Sequence, residues 1–178
     1  MSKRKLARFG LYGFCGALLA LTLAPSCKED DTEEKQRESI ERYITNTLRA
    51  EVDERDGVYY VPVKPEKPDT ISGRRTVEAG DSVTLEYEAM TLSGVLFATS
   101  DTITAREKGL EPLPATDLEV GSGKLIAGLD RGLLRMAHGE QAILLFPFTL
   151  GYGKEYVGLV PSTSALVFNV LVKEVNKQ

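Results

Sequence analysis

Apolar and polar residues alternate with a period of two over the second half of the chain, and this feature constrains the fold most. The alternation predicts a hairpin in which residues 83–87 and 95–97 flank a Ser93-Gly94 turn. Two further strands are predicted over 142–146 and 166–175. An earlier β-rich run, 58–63, contains a proline that predicts an edge strand or an early end.

One short helix interrupts these strands. Leu129, Leu133 and Met136 recur at helical spacing, which predicts two to three turns with one apolar face against the sheet. Strands, one helix and more strands are typical of an α+β domain with an antiparallel sheet. Hydrophobic residues make up 42% of the chain, which is enough for a packed core. We therefore expect one α+β domain over 57–178.

The first 26 residues have the layout of an export signal. Four bases precede an apolar run over 9–24, which is too short to span a bilayer comfortably and ends in Ala24-Pro25. The small residues before Cys27 resemble the lipobox of bacterial lipoproteins, which implies cleavage, acylation of the Cys27 sulfur and a lipid anchor in the outer membrane. The alternative is an ordinary signal with an incidental cysteine.

Cleavage after residue 26 would change the charge of the chain. It removes four bases and leaves 18 bases against 26 acids, a net charge of −8. Such a protein repels phosphates, so a nucleic-acid partner is not expected. The acidic residues 28–31 resemble the surface-export signal of some bacterial lipoproteins; a solvated tether is the alternative, so periplasmic and surface-exposed locations both stay open.

The segment 27–56 is predicted to be an acidic tether with an amphipathic helix. Ile40, Tyr43, Ile44 and Leu48 form one apolar stripe at helical spacing. Three roles are open for this helix: packing on the domain, self-association with a second copy of the chain, or spacing from the membrane.

The sequence lacks the residues that several kinds of catalytic and binding site require. His138 is the only histidine, and Cys15 would be removed with the signal, so we expect no metal site, disulfide or cysteine nucleophile. No nucleophile elbow, Walker loop or dinucleotide fingerprint occurs. We therefore expect no cofactor.

The segment 120–129, VGSGKLIAGL, resembles the FKBP-type peptidyl-prolyl isomerases. Further segments resemble the same family in the same order, so that the resemblance covers residues 58–175: 83–87, 94–97, 132–136, 139–140, 146–147, 150–153, 160–161 and 165–168. The resemblance implies a strongly bent antiparallel sheet wrapped around one short helix. It also implies a peptidyl-prolyl isomerase that binds proline-containing polypeptides and assists the folding of cell-envelope proteins.

By position in the resemblance, nine residues are expected to line an apolar proline pocket. Tyr152, Phe97 and Ile126 would act catalytically: the Tyr152 hydroxyl and the Ile126 N–H would each hold a substrate carbonyl, and Phe97 would form a wall. The remaining six would bind substrate: Tyr87, Leu125, Leu129, Tyr156, Val160 and Phe168.

The chain departs from the family pattern at four places. Leu129 replaces the tryptophan that often forms the pocket floor, and Ala98 replaces an aspartate that hydrogen-bonds across the pocket. The stretch 100–117 is longer than in small members and could overhang the pocket, and Ser162 replaces a common proline. These departures keep a second hypothesis open, in which a catalytically degenerate member serves as a peptide-binding or scaffolding module.

Overall fold

The computed structural model describes residues 27–63 and 75–177, with side chains from Thr32 onward. The expected export signal, 1–26, and residues 64–74 lie outside the described residues. Within the described part, no helix has the length and apolar character needed to cross a membrane.

The described residues form three α-helices and seven strands. Helix α1, Cys27–Tyr43, continues as a π-helical turn, Ile44–Leu48. The strands are β1 Asp53–Arg55, β2 Val58–Pro62, β3 Ser82–Thr91, β4 Leu96–Thr99, β5 Ala115–Glu119, β6 Gln141–Phe146 and β7 Leu166–Asn176. Helices α2, Thr102–Lys108, and α3, Ala127–Leu133, follow β4 and β5, and a 3₁₀ turn, Phe148–Leu150, follows β6.

All seven strands described belong to one antiparallel sheet of order β1-β2-β6-β7-β3-β4, with β5 also pairing with β3. Strands β3 and β7 pair along most of their length, from Ser82 opposite Asn176 to Thr91 opposite Leu166. The sheet and its helices confirm the predicted α+β class with an N-terminal helix.

The side chains of β2, β6 and β7 alternate between two separate cores. On the inner face of β2, Val58 and Tyr60 join the larger core, the inner core, which also contains Leu133 of α3. On the outer face of β2, Tyr59 and Val61 join the smaller core, the outer core. Because both faces are covered, β2 is a continuous apolar run rather than an alternating one.

Helix α1 covers the outer face of the sheet. Ile40 of α1 is fully buried, and Ile44 of the π-helical turn that continues it is 3% exposed; both belong to the outer core. Of the three roles open for this helix, the structure shows packing on the domain. Self-association stays a prediction, and it would need residues other than Ile40 and Ile44.

Three local predictions are refined by the structure. Strand β2 ends at Pro62, which confirms the predicted early end, and it is not an edge strand, because it pairs with β6 on one side and β1 on the other. Helix α3 ends at Leu133, and Met136 is buried in the turn that follows it. The long stretch 100–117 contains secondary structure of its own, namely α2 and the start of β5.

Candidate functional site

An apolar cleft of about 330 Å³ opens on the inner face of the sheet, beside the start of α3. Side chains from four strands, from α3 and from the loops around them line it: Leu85, Tyr87, Ala98, Leu113, Pro114, Ala115, Leu118, Lys124, Leu125, Ile126, Leu129, Tyr152 and Phe168. Lys124 is the only charged residue in this described lining, and its Nζ lies 2.8 Å from a carboxylate oxygen of Glu119. The cleft therefore suits an apolar ligand.

Phe168 of β7 organises the aromatic part of the cleft. Its ring stacks on Tyr87 with centroids 6.3 Å apart and on the fully buried Phe146 at 5.6 Å. Phe97 meets it edge-on at 6.0 Å and also meets the ring of Tyr152 edge-on at 6.1 Å. These contacts fix the rings of Tyr152 and Phe97 on the same side of the sheet.

Ile126 is the N-cap residue of α3. Its backbone is extended, with φ −62° and ψ 141°, and its side chain provides no capping hydrogen bond. Backbone N–H groups at a helix start lack intrahelical acceptors. The turn before it is tied to the helix, because the carboxylate of Asp130 accepts a 2.8 Å hydrogen bond from the Gly121 N–H. The start of α3 is thereby held at the mouth of the cleft.

Two tyrosines, Tyr152 and Tyr87, belong to the cleft lining. Burial raises the pKa of the Tyr152 phenol above its ordinary value. Burial also raises the pKa of the Tyr87 phenol, with a smaller contribution from neighbouring Tyr152. A phenol is a hydrogen-bond donor only while protonated, so a raised pKa extends this donor ability further into alkaline solution.

The structure brings seven of the nine predicted site residues together. Six line the cleft, namely Tyr87, Leu125, Ile126, Leu129, Tyr152 and Phe168, and the seventh, Phe97, contacts two of their rings. What each does with a substrate stays a prediction.

The expected lining is corrected at two positions, Tyr156 and Val160. Tyr156 is 72% exposed, whereas Val160 is 1% exposed and belongs to the inner core. Val157 and Val160 donate backbone hydrogen bonds to each other's carbonyls, which closes a tight turn after Tyr156. Neither predicted residue is among the described residues that line the cleft.

The stretch 100–119 contributes cleft residues that the sequence reasoning missed. Leu113 and Pro114 form part of the wall, and the Leu113 N–H donates a 2.9 Å hydrogen bond to the Thr99 carbonyl. Helix α2 precedes this wall, with Asp101 as its N-cap and Gly109 as its C-cap. An aspartate and a glycine at this spacing are typical helix caps, so this pair is the signal from which the helix could have been predicted. The long stretch thus forms one side of the cleft.

Comparison with known proteins gives the same family as these features. The model of the family described as FKBP-type peptidyl-prolyl cis-trans isomerase matches residues 73–173. The chain is 40% identical over 103 residues to human peptidyl-prolyl cis-trans isomerase FKBP10, covering 57% of this chain and 16% of that protein. It is 32% identical over 105 residues to FK506-binding protein 1 of Yarrowia lipolytica, covering 58% of this chain and 89% of that protein.

A solved structure agrees with these relatives. The crystal structure of FkpA from Escherichia coli superposes with a TM-score of 0.59 at 25% identity, covering 83% of this chain and 61% of that one. The chain belongs to the FKBP-type peptidyl-prolyl cis-trans isomerase family. It spans only about a sixth of the length of FKBP10, at 16%.

Proposed function

We propose that this chain catalyses cis–trans isomerisation of peptidyl-prolyl bonds in polypeptides that place a proline ring in the cleft. The apolar cleft, with its aromatic walls and two lining tyrosines, is the observation that supports this most. Membership of the isomerase family supports it further.

Catalysis of rotation about a prolyl peptide bond requires an apolar environment and no nucleophile. Rotation about a peptide bond has a barrier of about 18–20 kcal/mol, because it breaks amide resonance. The twisted amide is less dipolar than the planar one, so an apolar site disfavours the planar ground state relative to the transition state. The cleft supplies this environment, while the Tyr152 hydroxyl and the Ile126 N–H hold carbonyls on either side of the proline.

A second candidate is a module that binds proline-containing segments without turnover. Ala98, which is 8% exposed and lines the cleft, favours this candidate, because it offers no polar side chain toward the bound peptide. Both candidates use the same cleft and differ only in rate acceleration.

A protease-free assay of a proline-containing peptide, followed by exchange NMR, separates the two candidates. We expect micromolar protein to raise the cis–trans exchange rate clearly above that of buffer, since the uncatalysed reaction takes tens to hundreds of seconds. Binding of the peptide without any increase in exchange rate would favour the module.

Tyr152→Phe removes the cleft hydroxyl and keeps the ring that contacts Phe97. We expect kcat/KM to fall about 10-fold, the loss of roughly one hydrogen bond of 1.4 kcal/mol in the transition state. The matched control is Tyr156→Phe, which removes a hydroxyl from an exposed residue of the same loop and should leave kcat/KM unchanged. Equal losses in both variants would contradict the role given to Tyr152.

We also propose that the protein is anchored by lipid at Cys27 in a bacterial outer membrane and acts on cell-envelope proteins. The layout of the first 27 residues supports this. We expect an alkyne fatty acid fed to the cells to label the full chain, and Cys27→Ser to abolish the label and release the protein from the outer-membrane fraction. Cys15→Ser is the matched control, and loss of label in that variant alone would contradict the proposal.

A further inference from the structure

Helix α1 contacts the segment that carries Tyr152, although it packs on the opposite face of the sheet from the cleft. We define this segment, residues 147–163, as the Tyr152 loop. We propose that Gln36 of α1 is a positioning residue, which holds both ends of the Tyr152 loop and thereby fixes Tyr152 in the cleft. This proposal rests on the isomerase function proposed above, and it assigns that function a contribution from outside the family-matched region, 73–173.

The Gln36 side-chain amide bonds to the two ends of the loop with its two different atoms. Its Oε1 accepts a 2.9 Å hydrogen bond from the Phe148 N–H, and its Nε2 donates to the Thr163 carbonyl. A backbone N–H only donates and a carbonyl only accepts, so these partners fix the orientation of the amide. Gln36 therefore joins two backbone positions 15 residues apart through complementary contacts.

The loop closes this arrangement with its own backbone. The Phe148 carbonyl accepts a 2.9 Å hydrogen bond from the Gly153 N–H, and the Gly153 carbonyl accepts one of 2.9 Å from the Thr163 N–H. Gln36, Phe148, Gly153 and Thr163 thus form a closed ring of hydrogen bonds. Tyr152 directly precedes Gly153, so the backbone that carries the phenol is part of this ring.

The backbone at Thr163 also depends on this support. Its φ is 54°, in the left-handed region that a β-branched residue rarely adopts. Such a conformation persists where surrounding contacts hold it. Loss of the Gln36 contact allows Thr163 to relax to an ordinary conformation, and the hydrogen bond from Thr163 to Gly153 would shift with it.

The anchor for Gln36 is the packing of α1. Ile40 lies one helical turn further along α1 and is fully buried in the outer core. Arg37 adds a 3.6 Å ion pair to Glu54 of β1. These contacts fix the helix that carries Gln36, so the Gln36 amide can restrain the position of the Tyr152 loop.

Gln36→Met tests the proposal, because methionine keeps the length of the side chain and removes both hydrogen bonds. We expect kcat/KM to fall about 3- to 10-fold, since small displacements of a positioned group cost rate. Gln36→Glu keeps the acceptor for Phe148 and loses the donor for Thr163, so its loss should be intermediate. Lys35→Met is the matched control, because Lys35 directly precedes Gln36 in α1 and is exposed. It should leave kcat/KM unchanged.

A double-mutant cycle separates positioning from general structural support. If Gln36 acts through Tyr152, the effect of Gln36→Met should fall below about 2-fold in the Tyr152→Phe background, because the group that it positions is gone. An equal effect in both backgrounds would overturn the proposal. Urea unfolding of each variant checks that the chain stays folded during the kinetic measurement.

Two measurements test the ring of hydrogen bonds without any measurement of turnover. Failure of the positioning proposal is therefore distinguishable from failure of the isomerase proposal. In Gln36→Met, hydrogen exchange at the Gly153 and Thr163 amides should become faster, and the NMR signals of the Tyr152 ring should shift. Lys35→Met should change neither. Unchanged exchange and an unchanged Tyr152 signal in Gln36→Met would overturn the positioning role, whereas an inactive wild type with these changes would overturn only the isomerase function.

Discussion

We expect Gly128→Ala to lower the free energy of unfolding by about 2 kcal/mol, although alanine is the better helix former by about 1 kcal/mol. A Cβ atom at this position of α3 would lie 2.4 Å from two ring atoms of Phe146 and 2.6 Å from a third. Phe146 is fully buried and stacks on Phe168 at 5.6 Å, so its ring has no room to move aside. The cost of overpacking therefore exceeds the gain in helix propensity. Urea unfolding measures the difference.

The reciprocal substitution at the preceding residue is the control. Ala127 is exposed at the start of the same helix, so Ala127→Gly should destabilise the chain by about 0.5 kcal/mol through propensity alone. Alanine should thus be preferred at 127 and glycine at 128. A Gly128→Ala variant as stable as the wild type would contradict the close packing of α3 against Phe146.

Much of the fold could be predicted from the sequence because its signals are local. The Ser93-Gly94 turn lies between β3 and β4 as predicted, and the alternation along β7 separates inner Phe168 from outer Val167. Strand β2 was harder to place. Its run of four apolar residues is equally compatible with several positions in a sheet, and the pairing of β1 with its free side is a tertiary fact.

The cleft was predicted less completely than the fold. Leu113, Pro114 and Leu118 line it, but they follow a helix in which only Ala105 is buried, so no apolar periodicity revealed their position. Strand β5 also carries Asp117 at a φ of 54° and a shift of register against β3, which breaks simple alternation. The contact of Gln36 with the Tyr152 loop joins residues more than 100 positions apart and has no local signal at all.

Ile40→Asp should have the largest effect of any single change in α1. Ile40 is fully buried among apolar residues that include Tyr59, Leu145 and Val167. A carboxylate there would be desolvated without a partner, so α1 should leave the sheet rather than keep the charge buried. We expect a loss of about 3 kcal/mol or more in the free energy of unfolding, measured with urea. Hydrogen exchange should become fast along α1, while β3 and β7 stay protected.

Thr45→Asp is the matched control, because it adds the same carboxylate to an exposed residue of the π-helical turn and should change the stability by less than about 0.5 kcal/mol.

Detachment of α1 also removes Gln36 from Phe148 and Thr163, so Ile40→Asp should lower kcat/KM at least as much as Gln36→Met does. The free energy of unfolding should fall far more in Ile40→Asp than in Gln36→Met. An Ile40→Asp protein with α1 amides still protected, or with wild-type kcat/KM after α1 has detached, would contradict the link between the outer core and the cleft.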